Sequence, residues 1–178
     1  MVPYGRSAVT IAQEYDMPHS EAQALIDAWA ARYPQAWKYL EDCARLAMEG
    51  KAIESPMGRY KRPGLITPDT LDGIMNEYKN YTIQTTVAEF TLLATIELNE
   101  KLDKSECLIV NEVHDSLVFE MIDDLEIIQR NCAVIVDVMR TIPKRYLDWD
   151  LPFTSDVDIG YNWADMVSLK EFIEQREQ

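Results

Sequence analysis

Between residues 108 and 121 two apolar runs rich in β-branched side chains flank a short polar break, His114-Asp115-Ser116, and no helical spacing runs through them. Such a pattern closes on itself as a β-hairpin. This stretch constrains the fold more than any other, because it fixes two strands as neighbours. Its tip carries one carboxylate, Asp115, beside one imidazole, His114. Oxygen ligands suit Mg²⁺, and two strands hold a carboxylate more firmly than a free loop would. Asp is also a favoured turn residue, so the hairpin by itself leaves both roles open for Asp115.

A hairpin needs something to pack on, and the 178 residues supply it: 47% are hydrophobic and 27% charged, ordinary proportions for a globular chain of one or two domains. The cysteines, Cys43, Cys107 and Cys132, show no short metal-type spacing, and the only histidines are His19 and His114. A structural zinc site is not expected from that set, and free thiols fit a reducing compartment. No apolar run reaches membrane-span length, and the N-terminus lacks a secretory pattern. The expectation is a cytoplasmic protein with no membrane partner.

The net charge of −14 speaks at first against nucleic acid. Its distribution weakens that objection. Residues 1–65 hold eight basic and eight acidic residues, whereas residues 66–178 hold nine and 23. The N-terminal third is neutral and would not repel phosphate.

In chain order, Ser7 is placed to cap a short helix that runs to about Glu14. Ser20 through Gln23 reads as a capping box, and Ala22, Leu25, Ile26, Trp29 and Tyr33 form a helical stripe behind it. Pro34 interrupts that stripe. It resumes with Trp37, Leu40, Ala44 and Ala47 and stops at Gly50, so a kinked helical pair is expected. Residues 53–63 then turn at Gly58 and gather Arg59, Lys61 and Arg62 around Tyr60, the densest basic cluster in the chain. The cluster fits phosphate contact, and it fits a solvated hairpin equally well.

A long helix is expected from about Asp69 to Leu102, buried through Ile83, Val87, Phe90, Ala94 and Leu98. On another face Asn76, Asn80 and Gln84 stack four residues apart. Carboxamides donate and accept, so such a row can bond the minor-groove acceptors that look nearly alike on every base pair. Beyond the hairpin, residues 123–145 read as an amphipathic helix through Leu125, Ile128, Cys132, Ile135 and Met139. Residues 154–160 alternate as a strand with Val157 and Ile159 on one face, and a short charged helix follows Asn162-Trp163. The fold class is α+β in a single unit, mostly helical, with helices packed on a small antiparallel sheet.

The order of these signals adds a further reading. Tyr4-Gly5-x-Ser7-Ala8, Arg32-Tyr33-Pro34, Gly58-Arg59, Asn80-x-x-x-Gln84-x-Thr86-x-Ala88 and Val113-His114-Asp115-x-Leu117-Val118-Phe119-Glu120 follow one another from Tyr4 to about Trp163. The series resembles the C-terminal part of family A DNA polymerases of the bacterial DNA polymerase I type. The resemblance implies fingers helices over residues 1–50 and a palm portion over residues 51–178, with a metal-binding hairpin at 108–121. It implies that Tyr4 and Gly5 end the fingers helix beside the templating base. Asn80 and Gln84 would contact the primer–template minor groove, with Arg59 in the DNA-binding set. It implies that His114 lies by the primer terminus and that Asp115 is the second of two palm aspartates binding catalytic Mg²⁺.

The chain departs from that pattern in several places. Ser116 stands where the family has Glu, and Thr70, Leu71 and Asn76 stand where its long helix is arginine-rich. About a dozen residues run past the family's usual end. The other palm aspartate, and the fingers lysine and arginine that hold the incoming dNTP, belong upstream of Tyr4. Two-metal transfer needs more than one carboxylate, and Glu112 and Glu120 are the nearest others in sequence.

The expectation is therefore a split or truncated DNA-directed DNA polymerase. Its partners would be primer–template DNA, dNTP and an N-terminal half, since a palm sheet lacking a strand leaves an open edge. A non-catalytic module that binds DNA or a polymerase partner is the alternative. A third reading, an acidic mimic of DNA, is prompted by the net charge. The neutral first 65 residues and the apolar stripes speak against it.

Overall fold

The structure is a computed structural model that describes residues 6–177. Its backbone divides into two compact units, one up to Thr86 and one from Val87. Among the described residues six helices and three two-stranded antiparallel ladders give an α+β architecture.

In the first unit Ser7 sits in extended backbone and accepts from the Thr10 amide at 3.2 Å, which starts α1 (Ala8–Glu14) as a hydroxyl cap should. Helix α2 (His19–Arg32) begins earlier than the capping box suggests. Pro18 stands at its N-cap with φ −59°, and Ser20 lies inside the helix. The ring fixes a helical φ in advance, and the Pro18 carbonyl accepts from Glu21 and Ala22 at 3.0 and 3.1 Å. Ala8, Ile11, Ala22 and Ile26 close a small core between α1 and α2, with Trp37 against it.

The kink falls at Tyr33, where α3 (Pro34–Met48) starts with proline in its first turn. Gly50 ends that helix at φ +69°, its amide bonded to Ala47 O at 3.1 Å and that of Lys51 to Leu46 O at 3.0 Å. A side chain there would meet the left-handed penalty that glycine avoids. Strands β1 (Ile53–Glu54) and β2 (Tyr60–Lys61) pair Ile53 with Lys61 and Glu54 with Tyr60. Cys43, Ala47 and Ile53 then pack on Ile74 and Tyr78 from the start of α4 (Leu71–Lys101).

The buried face of α4 keeps Phe90, Ala94 and Leu98 of the expected stripe and departs from it at Ile83. Ile83 is exposed, and burial follows Ile74, Tyr78, Thr86, Phe90, Ala94 and Leu98, at steps of four or eight residues. Threonine is tolerated there because its hydroxyl bonds back along the helix: Thr86 Oγ1 donates to Thr82 O at 2.6 Å and Thr91 Oγ1 to Val87 O at 3.1 Å. Apolarity alone gave the inward face over the second half of the helix and missed it over the first.

In the second unit β3 (Cys107–Val113) and β4 (Ser116–Met121) form the hairpin. Asp124 caps α5 (Leu125–Leu147) by accepting from Ile127 N at 3.0 Å. β5 (Asp158–Ile159) pairs with β6 (Val167–Ser168), which leads directly into α6 (Leu169–Arg176). Ile128, Cys132 and Phe172 form the core, and Val157 and Ile159 both face it, as the alternation requires. Burial pushes the Cys107 thiol up to about 11, with Cys132 and Glu106 adding to the effect. These are core thiols. Among the described residues no helix is long and apolar enough to cross a membrane.

Candidate nucleic-acid interface

The anticipated site residues fall into two groups, one in each unit. Tyr4 and Gly5 lie outside the described residues.

The first group is built around the β1–β2 turn. Gly58 takes φ +86°, and its amide bonds to Ser55 O at 2.9 Å. The Ser55 amide donates to Arg59 O at 2.8 Å, and the buried Ser55 hydroxyl accepts from Arg59 N at 3.1 Å. Two tyrosines of α4 pin this hairpin. The Tyr78 hydroxyl donates to Lys51 O at 2.8 Å and lies 3.4 Å from Lys61 O, while the Tyr81 hydroxyl donates to Arg59 O at 3.1 Å. Tyr78 is fully buried, so burial raises its phenol above the ordinary value, the Glu77 charge adding to the rise.

Between the hairpin and α4 lies a polar cleft of about 310 Å³, lined by Lys61 of β2 and by Asn76, Glu77, Asn80, Tyr81 and Gln84 of α4. The carboxamide row thus shares one concave surface, and it shares it with a cation. Lys61 Nζ pairs with Glu77 Oε2 at 2.9 Å and stands 6.0 Å from the Tyr81 ring centroid. Asn80 Nδ2 donates to Asn76 O at 2.9 Å. That bond uses one of the two donors on the carboxamide nitrogen. The basic cluster, the tyrosines and Glu77 were separate features in the sequence. Tyr78 and Tyr81, three apart on one helical face, were the available signal for the pinning.

The second group is the hairpin tip. Val113 pairs with Ser116, which leaves His114 and Asp115 as a two-residue loop. His114 takes φ +57°, a left-handed conformation that costs a non-glycine residue about 1–2 kcal/mol. Ser116 Oγ donates to Val113 O at 2.8 Å and ties the tip shut. Register shifts between Ile109 and Asn111, a bulge that raises the local twist. Asp115 and His114 are both exposed at the end of this ladder.

An exposed carboxylate on a two-stranded support is a fitting hard-oxygen ligand for Mg²⁺. It is one ligand only. Among the described residues no three His, Cys, Asp or Glu side chains converge as a metal site. Glu120 pairs with Leu108, five residues along from Asp115 or about 16 Å at ~3.3 Å per strand residue. That is too far to share ions about 4 Å apart. Glu112 pairs with Leu117, one register step behind the tip pair.

Comparison with known proteins gives a consistent picture. The sequence profile described as DNA polymerase family A matches residues 1–165. DNA polymerase I of Pseudomonas aeruginosa is 29% identical over 171 residues, which cover 91% of this chain and 18% of that protein. DNA polymerase I of Deinococcus radiodurans is 27% identical over 92% of this chain and 17% of its own length. The thermostable DNA polymerase I of Thermus aquaticus is 24% identical over 91% of this chain and 19% of its own. The chain thus spans under a fifth of these curated relatives. Its fold is similar to the POL domain of Pol1 from M. smegmatis, solved in complex with DNA primer-template and dNTP. That likeness has a TM-score of 0.68 at 20% identity, over 79% of this chain and 25% of the other.

Proposed function

The chain belongs to DNA polymerase family A, and from that membership we propose that it supplies the primer–template end of a DNA-directed DNA polymerase whose remaining parts come from an N-terminal half. In this reading residues 1–50 serve as fingers helices and residues 51–178 as a palm portion. Asp115 ligates metal and His114 stands at the primer terminus. Asn80 and Gln84 meet the minor groove, Arg59 belongs to the phosphate-facing hairpin, and Tyr4 and Gly5 face the templating base.

The observation that carries the reading is the tip itself. A register-locked hairpin ends in a two-residue loop and presents an exposed carboxylate. Magnesium ions bound there would neutralise charge developing on the transferred phosphoryl group. This chain contributes one of the carboxylates such ions need, and the others belong to the missing half. The protein's own share is rigidity: the Ser116 bond and the ladder hold Asp115 in place before substrate arrives.

The test combines this chain with a protein carrying the rest of a family A polymerase and follows primer extension. Removing even an indirect supporter of a metal ligand costs 10- to 100-fold, so Asp115→Ala should lower extension by at least about 100-fold. Unchanged extension removes Asp115 from the reaction. A second reading, a non-catalytic DNA-binding or polymerase-partner module, is favoured by Ser116, which stands at the family's glutamate position with its hydroxyl bonded to backbone. It predicts duplex binding that depends on neither Mg²⁺ nor Asp115.

A further inference from the structure

Lys61 occupies a particular position in the cleft. Its backbone is fixed, because the tyrosine bonds to Lys51 O and Arg59 O hold the hairpin on either side of the Gly58 turn. Its side chain is not fixed in the same way. The partner is Glu77, whose side chain is 61% exposed against 31% for Lys61. An ion pair that open holds its partners together only a few-fold over water. A phosphate offers the same ammonium several charged oxygens and releases condensed counterions when it is neutralised, so it competes well. Glu77 is also the one acidic residue between 73 and 85, the stretch that holds the carboxamide row and both tyrosines.

Resting on the reading of this cleft as a duplex contact, we propose that Lys61 is a phosphate-binding residue held in reserve by Glu77. A duplex that lays its minor groove along Asn76, Asn80 and Gln84 draws the ammonium from the carboxylate to a backbone phosphate. Glu77 is then a built-in competitor that moderates duplex affinity and keeps Lys61 extended over the Tyr81 ring when no duplex is bound.

The experiment measures binding of a primer–template duplex to the full chain by fluorescence anisotropy across a salt series. Lys61→Ala should weaken binding and make the slope of log affinity against log salt shallower by about 0.9, the share of one phosphate. Lys61→Arg should restore the slope. Glu77→Gln should tighten binding by about two- to fivefold, the size of an exposed ion pair. That gain should vanish in the Lys61→Ala background. A Glu77→Gln gain that persists unchanged without Lys61 would overturn the proposal, as would an unaltered salt slope in Lys61→Ala. A wild-type chain that binds no duplex would overturn the reading of the cleft, and this inference with it.

Discussion

Tyr78 is the residue on which the first unit's hairpin and cleft depend. Its ring fills the core between α3, β1 and α4, and its hydroxyl reaches two backbone carbonyls that flank the basic turn. Tyr78→Phe keeps the ring and removes the donor, leaving Lys51 O without that bond. A net loss of about 1 kcal/mol is expected in denaturant unfolding, with an unchanged m-value. Tyr78→Ala should lose about 3–5 kcal/mol, because it also leaves a cavity of aromatic size. If Phe and Ala cost the same, the ring contributes nothing and the pinning account is wrong. Nothing in the local sequence distinguishes Tyr78 from Tyr81 or Tyr39. What separates them is burial against residues 17 to 35 positions away, which pattern reading does not reach.

At the level of elements, legibility followed how local the determining physics is. The α1 cap, the Pro34 kink, the Gly50 stop and the Gly58 turn depend on one residue's conformational limits, and all stand where the sequence placed them. The hairpin also stands where it was read, because alternation and turn residues specify it within 14 positions. The inward face of α4 was misread at Ile83, since tyrosine and self-satisfied threonines replaced aliphatic residues on the buried row. The strand over residues 154–160 shrank to Asp158–Ile159, because a partner of only two residues, β6, was available to pair with it. Of the candidate site, the carboxamide row and the tip were legible, and the Lys61–Glu77 pair was not. The tip itself carries a prediction. His114 holds φ +57°, so His114→Gly should relieve left-handed strain and raise stability by about 1 kcal/mol in thermal or denaturant unfolding. On the proposed function the same change should slow primer extension by the complemented enzyme. A stabilised variant with undiminished extension would mean that the strained imidazole serves no purpose at the primer end.

Across the whole molecule, charge is divided as unevenly as structure. Residues 1–86 carry nine basic and eleven acidic side chains, and residues 87–178 carry eight and twenty. On the proposed function phosphate contact falls to the first unit, where the cleft lies and the excess of acid is only two. In the acidic second unit a carboxylate tip suits cations. The same unit keeps Leu92 and Ile96 exposed on α4 and Leu108, Val110 and Val113 exposed on β3. Among the described residues β3 and β4 each have one neighbouring strand, so alternate amides on their outer edges have no ladder partner. On the proposed function, an N-terminal half that completes the palm would cover those edges. Hydrogen exchange reads this directly. A partner present at about 100 times its dissociation constant stabilises what it covers by about 2.7 kcal/mol, so exchange within residues 107–121 should slow by about 100-fold on mixing. Amides of α1 and α2, in the other unit, serve as the internal reference. Protection confined to the reference helices would place the partner on the wrong unit. With no slowing anywhere, the hairpin would stand as a finished element, and the carboxylate at its end would have to act without a second polypeptide.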